Sequence, residues 1–122
     1  MGDKQKLRKN LEFAAVYERG KTWASELIIL KTLSNGLEWS RYGFVAGKRI
    51  GKAVVRNRVK RRLREVTRAI PTKSGWDLVL MARSPAVTAN YHELKAAVAG
   101  LLRRARILAE KDEVGGAERA SE

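Results

Sequence analysis

The sequence contains no cysteine, a single histidine and only two prolines. Without thiols there can be no disulfide and no thiolate metal site, and one histidine cannot build a zinc cluster. That histidine, His92, falls near the start of the last helix expected from periodicity, where it reads as a surface or capping residue. Acidic residues are also scarce, 13 against 26 Lys and Arg. Glu12, Glu18, Glu26, Glu38, Glu65, Asp77 and Glu93 are scattered, and none pairs at a spacing suited to acid–base work. For Glu65 the expected role is a bridge to Arg61 or Arg62, three or four residues back on a helix. If the chain serves an enzyme, the chemistry lies elsewhere. No apolar run approaches 18 residues, which excludes a membrane-spanning helix. The basic start MGDKQKLRKN leads into no apolar segment, so no secretory signal is expected. Lys6 also stands where a myristoylation motif needs Ser or Thr. The default expectation is a cytoplasmic protein.

What the chain does have is enough apolar character for a core. At 122 residues and 44% hydrophobic, it is expected to form one domain. That domain covers 1–110, and the Gly-rich, acidic end DEVGGAERASE reads as a disordered tail over 111–122. The net charge of +13 is the unusual quantity. A surface this cationic repels itself unless a polyanion screens it, which points first to nucleic acid and leaves an anionic membrane open.

Periodicity supplies the elements. Leu7 to Arg19 reads as a helix with Asn10 as cap, Gly20 as stop and Phe13 and Tyr17 as an i,i+4 aromatic pair. Trp23 to Leu33 reads as extended. Ser34-Asn35-Gly36 is a turn signal, and Glu38 to Gly47 resumes as strand, so these two strands are expected to form an antiparallel hairpin. From Val54 to Ile70, Val55, Val59, Leu63, Val66 and Ile70 fall on one helical stripe. Arg56, Asn57, Lys60, Arg61, Arg64 and Arg68 fan across the other side, and Pro71 ends the helix. Trp76 to Arg83 (WDLVLMAR) reads as a buried strand, and Asn90 caps a last helix over 91–110. The order is helix, strands, helix, strand, helix: an α+β sandwich with one mixed sheet and a βαβ crossover through the basic helix.

The basic helix carries the strongest functional signal. Residues 48–68 hold ten Lys or Arg and one acid, Glu65, a local charge of +9 (10 − 1). A merely solvated helix face interleaves both signs. A nearly pure cationic face costs repulsion, so a polyanion is the favoured partner, and guanidinium forks suit phosphate oxygens. The preceding GFVAGKRIG (43–51) is not a Walker loop, because three residues rather than four separate its glycines and Arg49 follows Lys48. Instead Gly47 and Gly51 are read as permitting a tight strand-to-helix passage. There, backbone N–H groups with Lys48, Arg49 and Lys52 can approach phosphates. Phe13 and Tyr17 are either core residues or a platform on which unpaired bases stack. Trp23, Trp39 and Trp76 are read as packing.

KRIGKAVVRNRVKRRLRE (48–65) resembles the signature of the bacterial ribonuclease P protein subunit, an RNR triplet opening a helix of form RNxxKRxxRE. Lys48, Gly51, Ala53, Arg56, Asn57, Arg58, Lys60, Arg61, Arg64 and Glu65 all fit it. The start at 9–20, RYGFVAGK (41–48) and WDLVLMAR (76–83) follow in the family's order, so the resemblance covers about residues 7–110. It implies an αβββαβα two-layer sandwich like the second domain of ribosomal protein S5, with a left-handed βαβ crossover against the usual right-handed rule. It also implies that Lys48, Arg49, Lys52, Arg56, Asn57, Arg58, Lys60, Arg61, Arg64 and Arg68 face the catalytic ribonuclease P RNA. A cleft with Phe13, Tyr17, Ile29 and Lys31 would receive the 5′ leader of precursor tRNA. Lys31 stands where some relatives carry an aromatic, so a phosphate contact is expected of it rather than stacking. Hydrolysis would belong to the RNA and its Mg²⁺, with one protein per RNA, a monomer when free and no membrane. The competing readings are a ribosomal or other structural RNA-binding protein of the same fold, a helix-turn-helix DNA binder and a membrane-surface helix. The second would need a helix directly before the basic one. The third would want aromatics on the apolar stripe.

Overall fold

A computed structural model describes residues 4–7 and 10–109. In chain order the elements are β1 (Lys4–Lys6), α1 (Asn10–Arg19), β2 (Lys21–Ala24), β3 (Ile28–Ser34), β4 (Ser40–Val45), α2 (Ala53–Arg68), β5 (Trp76–Ala82) and α3 (Tyr91–Arg104). After the leading three-residue strand, this is the αβββαβα order. The strands make one mixed sheet in the order β1-β4-β5-β3-β2. β4 and β5 are parallel neighbours joined through α2, as the crossover requires, and β5 runs antiparallel to β3. The tail expected over 111–122 lies outside the described residues.

Four expectations are corrected. The strands before and after the Asn35-Gly36 turn do not pair; β5 lies between β3 and β4. The reason is in its sequence: Asp77, Leu78, Val79 and Leu80 are all buried, and a strand buried on both faces belongs in the middle of a sheet. The hairpin is β2–β3 instead, because the stretch read as one strand from Trp23 to Leu33 folds back at Ser25. The Ser25 hydroxyl accepts from the Leu27 and Ile28 amides at 3.3 and 3.2 Å, so a serine makes the turn that no Gly, Pro or Asn announces. Third, the last helix stops at Arg104 rather than 110. The Ile107 amide donates to the Leu102 carbonyl (2.8 Å) and the Arg106 amide to that of Arg103 (3.0 Å), with Arg106 at φ 64°. That is a Schellman stop with arginine in the place usually held by glycine. The first helix is also shorter than expected: Leu7 is a buried residue whose amide donates to the Tyr42 carbonyl.

Alternation along the strands divides the side chains between two faces. Ile28, Leu30, Tyr42, Leu78 and Leu80 point to one face, where α2 supplies Val59, Leu63 and Val66 and α3 supplies Leu94, Val98, Leu101 and Leu102. This is the main core, and each aliphatic side chain fully buried in it contributes about 1.5–3 kcal/mol. Among the described residues the opposite face carries a single helix, α1, through Val16 and Phe13 against Leu7, Val79, Val45 and Met81. α3 begins with the expected cap: the Asn90 side chain accepts from the Glu93 amide (2.8 Å) and the Glu93 carboxylate from the Asn90 amide (2.9 Å).

Candidate nucleic-acid interface

α2 is built as the sequence predicts, with Val59, Leu63 and Val66 buried against the sheet and Ile70 buried just past its end. The apolar seam fixes the helix in rotation, and that fixes its basic side. Asn57, Arg61 and Arg68 are exposed, and Arg56, Arg58, Lys60 and Arg64 are half-buried along their stems. The bridge expected of Glu65 does not form: among the described residues the only carboxylate ion pairs are those of Arg41 with Glu12 and Asp77. Arg64 instead lies with its guanidinium carbon 5.7 Å over the Phe44 ring. Arg62 donates to the Ala89 carbonyl at 3.3 Å, and the Arg56 Nε is buried with no hydrogen-bond partner among the described residues.

The passage into α2 sharpens the reading of its two glycines. Gly47 has φ −74° and ψ 173°, an ordinary extended conformation, with open space around it. Gly51 has φ 144°, which side-chain-bearing residues rarely adopt, and a Cβ there would also meet Val55 at 3.3 Å. Only Gly51 has to be glycine. Between them Lys48–Ile50 form a single 3₁₀ turn, and Lys48, Arg49 and Lys52 are all exposed. α2 then starts with no side-chain cap and no acid in its first turn. A helix N-terminus left in that state favours an anionic acceptor from outside.

The second group of candidate residues lies on the α1 face. Phe13 and Tyr17 are neighbours, ring centroids 6.4 Å apart, but they are not equivalent. Phe13 is wedged over Gly43, where a Cβ would come within 2.5 Å of its ring, so it packs as a core residue. Tyr17 is 43% exposed and free to meet a ligand. Ile29 and Lys31 point to the same face, and the Lys31 ammonium donates to the Thr22 hydroxyl at 2.9 Å.

A groove of about 660 Å³ brings Ile29 together with Lys48 and Arg49. Ile29 and the basic loop, far apart in sequence, therefore share one surface, whereas Phe13, Tyr17 and Lys31 do not line this groove. Val45, Met81 and Arg83 also line it, as does one acid, Glu26, and none of the four was singled out for this site by sequence reasoning. The alternation of β4 and β5 marks Val45 and Met81 as face-mates, but only the pairing of those two residues across the parallel ladder sets them side by side.

Arg41, which belongs to the same RYGFVAGK stretch, is committed to structure. Its guanidinium grips Asp77 with Nε at 2.8 Å and Nη2 at 2.7 Å, while Nη1 reaches Glu12 on α1 at 3.0 Å. The hydrogen bond to Asp77 is the main cause raising the Arg41 pKa further above its usual value, opposed by partial burial. Burial likewise pushes the Tyr42 phenol up, partly offset by its hydrogen bond with the Thr72 hydroxyl. Among the described residues no three His, Asp or Glu side chains come together in a way that could hold a metal ion. Nor is any described helix long and apolar enough to cross a membrane.

Comparison with known proteins gives one consistent result. The family model described as Ribonuclease P matches residues 1–106. The ribonuclease P protein component of Dehalococcoides mccartyi strain CBDB1 is 45% identical over 113 residues, covering 93% of this chain and 94% of that protein. Its counterpart from Caldanaerobacter subterraneus is 41% identical over 109 residues, 88% and 94% of the two chains. Among solved structures, the RNase P protein from Thermotoga maritima superposes with a TM-score of 0.73 at 29% identity, covering 82% of this chain and 96% of the other. The Staphylococcus aureus RNase P protein mutant with defective mRNA degradation activity gives 0.77 at 24% identity, covering 84% and 89%, a likeness of fold.

Proposed function

The chain belongs to the ribonuclease P protein family, and from that premise we propose that it binds the catalytic RNA through α2 and the 5′ leader of precursor tRNA through the α1 face. Members of the family are components of an endoribonuclease. The observation that carries the proposal is the α2 surface: ten basic residues over 48–68, one acid, and no ion pair among the described residues to neutralise them. Lys48, Arg49, Lys52, Arg56, Asn57, Arg58, Lys60, Arg61, Arg64 and Arg68 contact phosphates and sugars of the RNA, positioning the protein without needing base readout.

The groove that joins Lys48 and Arg49 to Ile29 carries the leader away from the RNA surface. Tyr17 offers a stacking face, Lys31 a phosphate contact, and Phe13 holds α1 at the height the strand requires. The chain's own work is to bind, to orient the leader and to place cationic charge where two polyanions must approach each other. It acts in the cytoplasm, one copy per RNA and a monomer when free. In this reading Mg²⁺ belongs with the RNA partner.

The test is to add the protein to a ribonuclease P RNA at low Mg²⁺ and follow cleavage of precursor tRNA. Cleavage that depends on the protein is expected. Tight RNA binding with no stimulation of cleavage would return the alternative, a structural RNA-binding protein of the same fold.

A further inference from the structure

The two ends of the sheet are not alike. Pairing sets Ile28 opposite Ala82 at the end near the Lys48–Ile50 turn and Ser34 opposite Trp76 at the other. At that other end, on the α3 side, lies a second cavity of about 490 Å³, in the size range of small-ligand pockets. Its distinctive lining is two indoles, Trp23 and Trp76, and four cations, Arg19, Lys21, Arg104 and Arg106. All four cations are exposed, and none has an ion pair among the described residues.

Two further observations point to a ligand. Arg106 holds φ 64°, a conformation that disfavours arginine, and so brings a fourth cation to the rim where glycine would stop α3 with less strain. The Trp23 indole Nε1 is buried with no hydrogen-bond partner among the described residues, although a buried indole N–H usually has one. Arg104 lies 6.0 Å over the same indole while donating to the Ala24 carbonyl at 3.0 Å, which forms a guanidinium–indole layer beside the opening. Cations in the last turns of α1 and α3 would also complement the helix dipoles. That explanation covers Arg19 and Arg104 but not Lys21 and Arg106, which lie outside both helices.

We propose that this cavity is a second RNA site, which takes one nucleotide of a single-stranded segment, its phosphate among Arg19, Lys21, Arg104 and Arg106 and its base against the indole layer. Cationic side chains around an aromatic platform are the means by which proteins hold unpaired nucleotides. The inference rests on the reading of the chain as an RNA-binding protein, but it uses neither α2 nor the α1 face.

The experiment uses the full chain labelled with ¹⁵N and a single-stranded adenylate trinucleotide at low salt. The protein has three tryptophans, two in the cavity and Trp39 outside it, so the indole N–H signals carry their own control. The Trp23 and Trp76 signals are expected to move on titration while that of Trp39 stays. The variant Lys21→Glu with Arg106→Glu alters only exposed side chains and is expected to weaken this response at least tenfold, with the response of the α2 amides retained. An unchanged cavity response in the variant overturns the proposal. So does reproduction of the same shifts by inorganic phosphate alone, which means an anion site only, or by an acidic peptide, which means a protein partner. Loss of the α2 response as well, in the unmutated chain, would overturn the proposed function rather than this inference alone.

Discussion

Arg41 and the arginines of α2 are separated by 15 residues and used in opposite ways. Arg41 meets two carboxylates, Glu12 and the buried Asp77, and its three contacts of 2.7–3.0 Å tie α1 to β4 and β5. Arg56, Arg58 and Arg61 meet none among the described residues. An ion pair with one member buried holds structure because breaking it strands a charge away from water. A cationic face without acids gives little to stability and keeps its charge for a partner. Residue type and local sequence do not distinguish the two; the position of the acids does.

The largest effect is expected from removing the structural arginine. Arg41→Ala should lower unfolding free energy by about 3 kcal/mol in urea titrations, because Asp77 is left buried without its counter-charge, keeping only the hydrogen bond from the Asn35 side chain. Arg41→Lys should recover only part of this, since an ammonium cannot make the two-pronged contact. A loss under about 1 kcal/mol in the alanine variant would erase the contrast with α2.

Next, Arg56→Ala with Arg61→Ala should leave the thermal midpoint nearly unchanged. RNA affinity should fall about tenfold or more, and the dependence of log K on log salt should flatten by about two contacts. Unaltered affinity would sink the assignment of this face to RNA.

A third pair of variants sharpens the same contrast within the aromatic pair. Phe13→Ala should cost about 3 kcal/mol of stability, the low end for a phenylalanine truncation, because the ring fills the space over Gly43. Tyr17→Ala should stay within about 0.5 kcal/mol. It should weaken precursor tRNA by about 1 kcal/mol while leaving mature tRNA alone. Equal losses for both substrates would make Tyr17 another packing residue.

The smallest is Tyr42→Phe, which removes the hydroxyl bonded to Thr72 and should cost about 1 kcal/mol at neutral pH. The folded-state pKa of Tyr42 is raised above 10.0. The protonated phenol therefore favours the folded state, and its contribution is full below pH 10.0 and lost as pH rises beyond it. The difference between the two proteins should narrow in alkaline solution; a gap that widens instead would contradict the shift.

Much of the fold was legible where a pattern runs long. The Val59, Leu63, Val66 and Ile70 stripe, the Asn90 cap and the buried strand at Trp76 all stand where the sequence puts them. The failures are all non-local or made by unmarked residues. A hairpin turn built on Ser25 and a helix stop built on Arg106 carry no glycine to announce them, and Leu7 left its helix to join the sheet. The groove joining Ile29 to Lys48 was illegible because its walls come from β3, β4 and β5, whose order in the sheet no local pattern states.

By itself the sequence determined that the chain is cationic, that its basic residues share one side of a helix, and that the chain carries the ribonuclease P signature. Charge is additive and helical period is local, so both can be read one residue at a time. Only the tertiary structure decided which charges are neutralised and which remain for a partner. That depends on β5 entering between β3 and β4, which carries Asp77 to Arg41 from 36 residues away, while the α2 arginines have no carboxylate partner among the described residues.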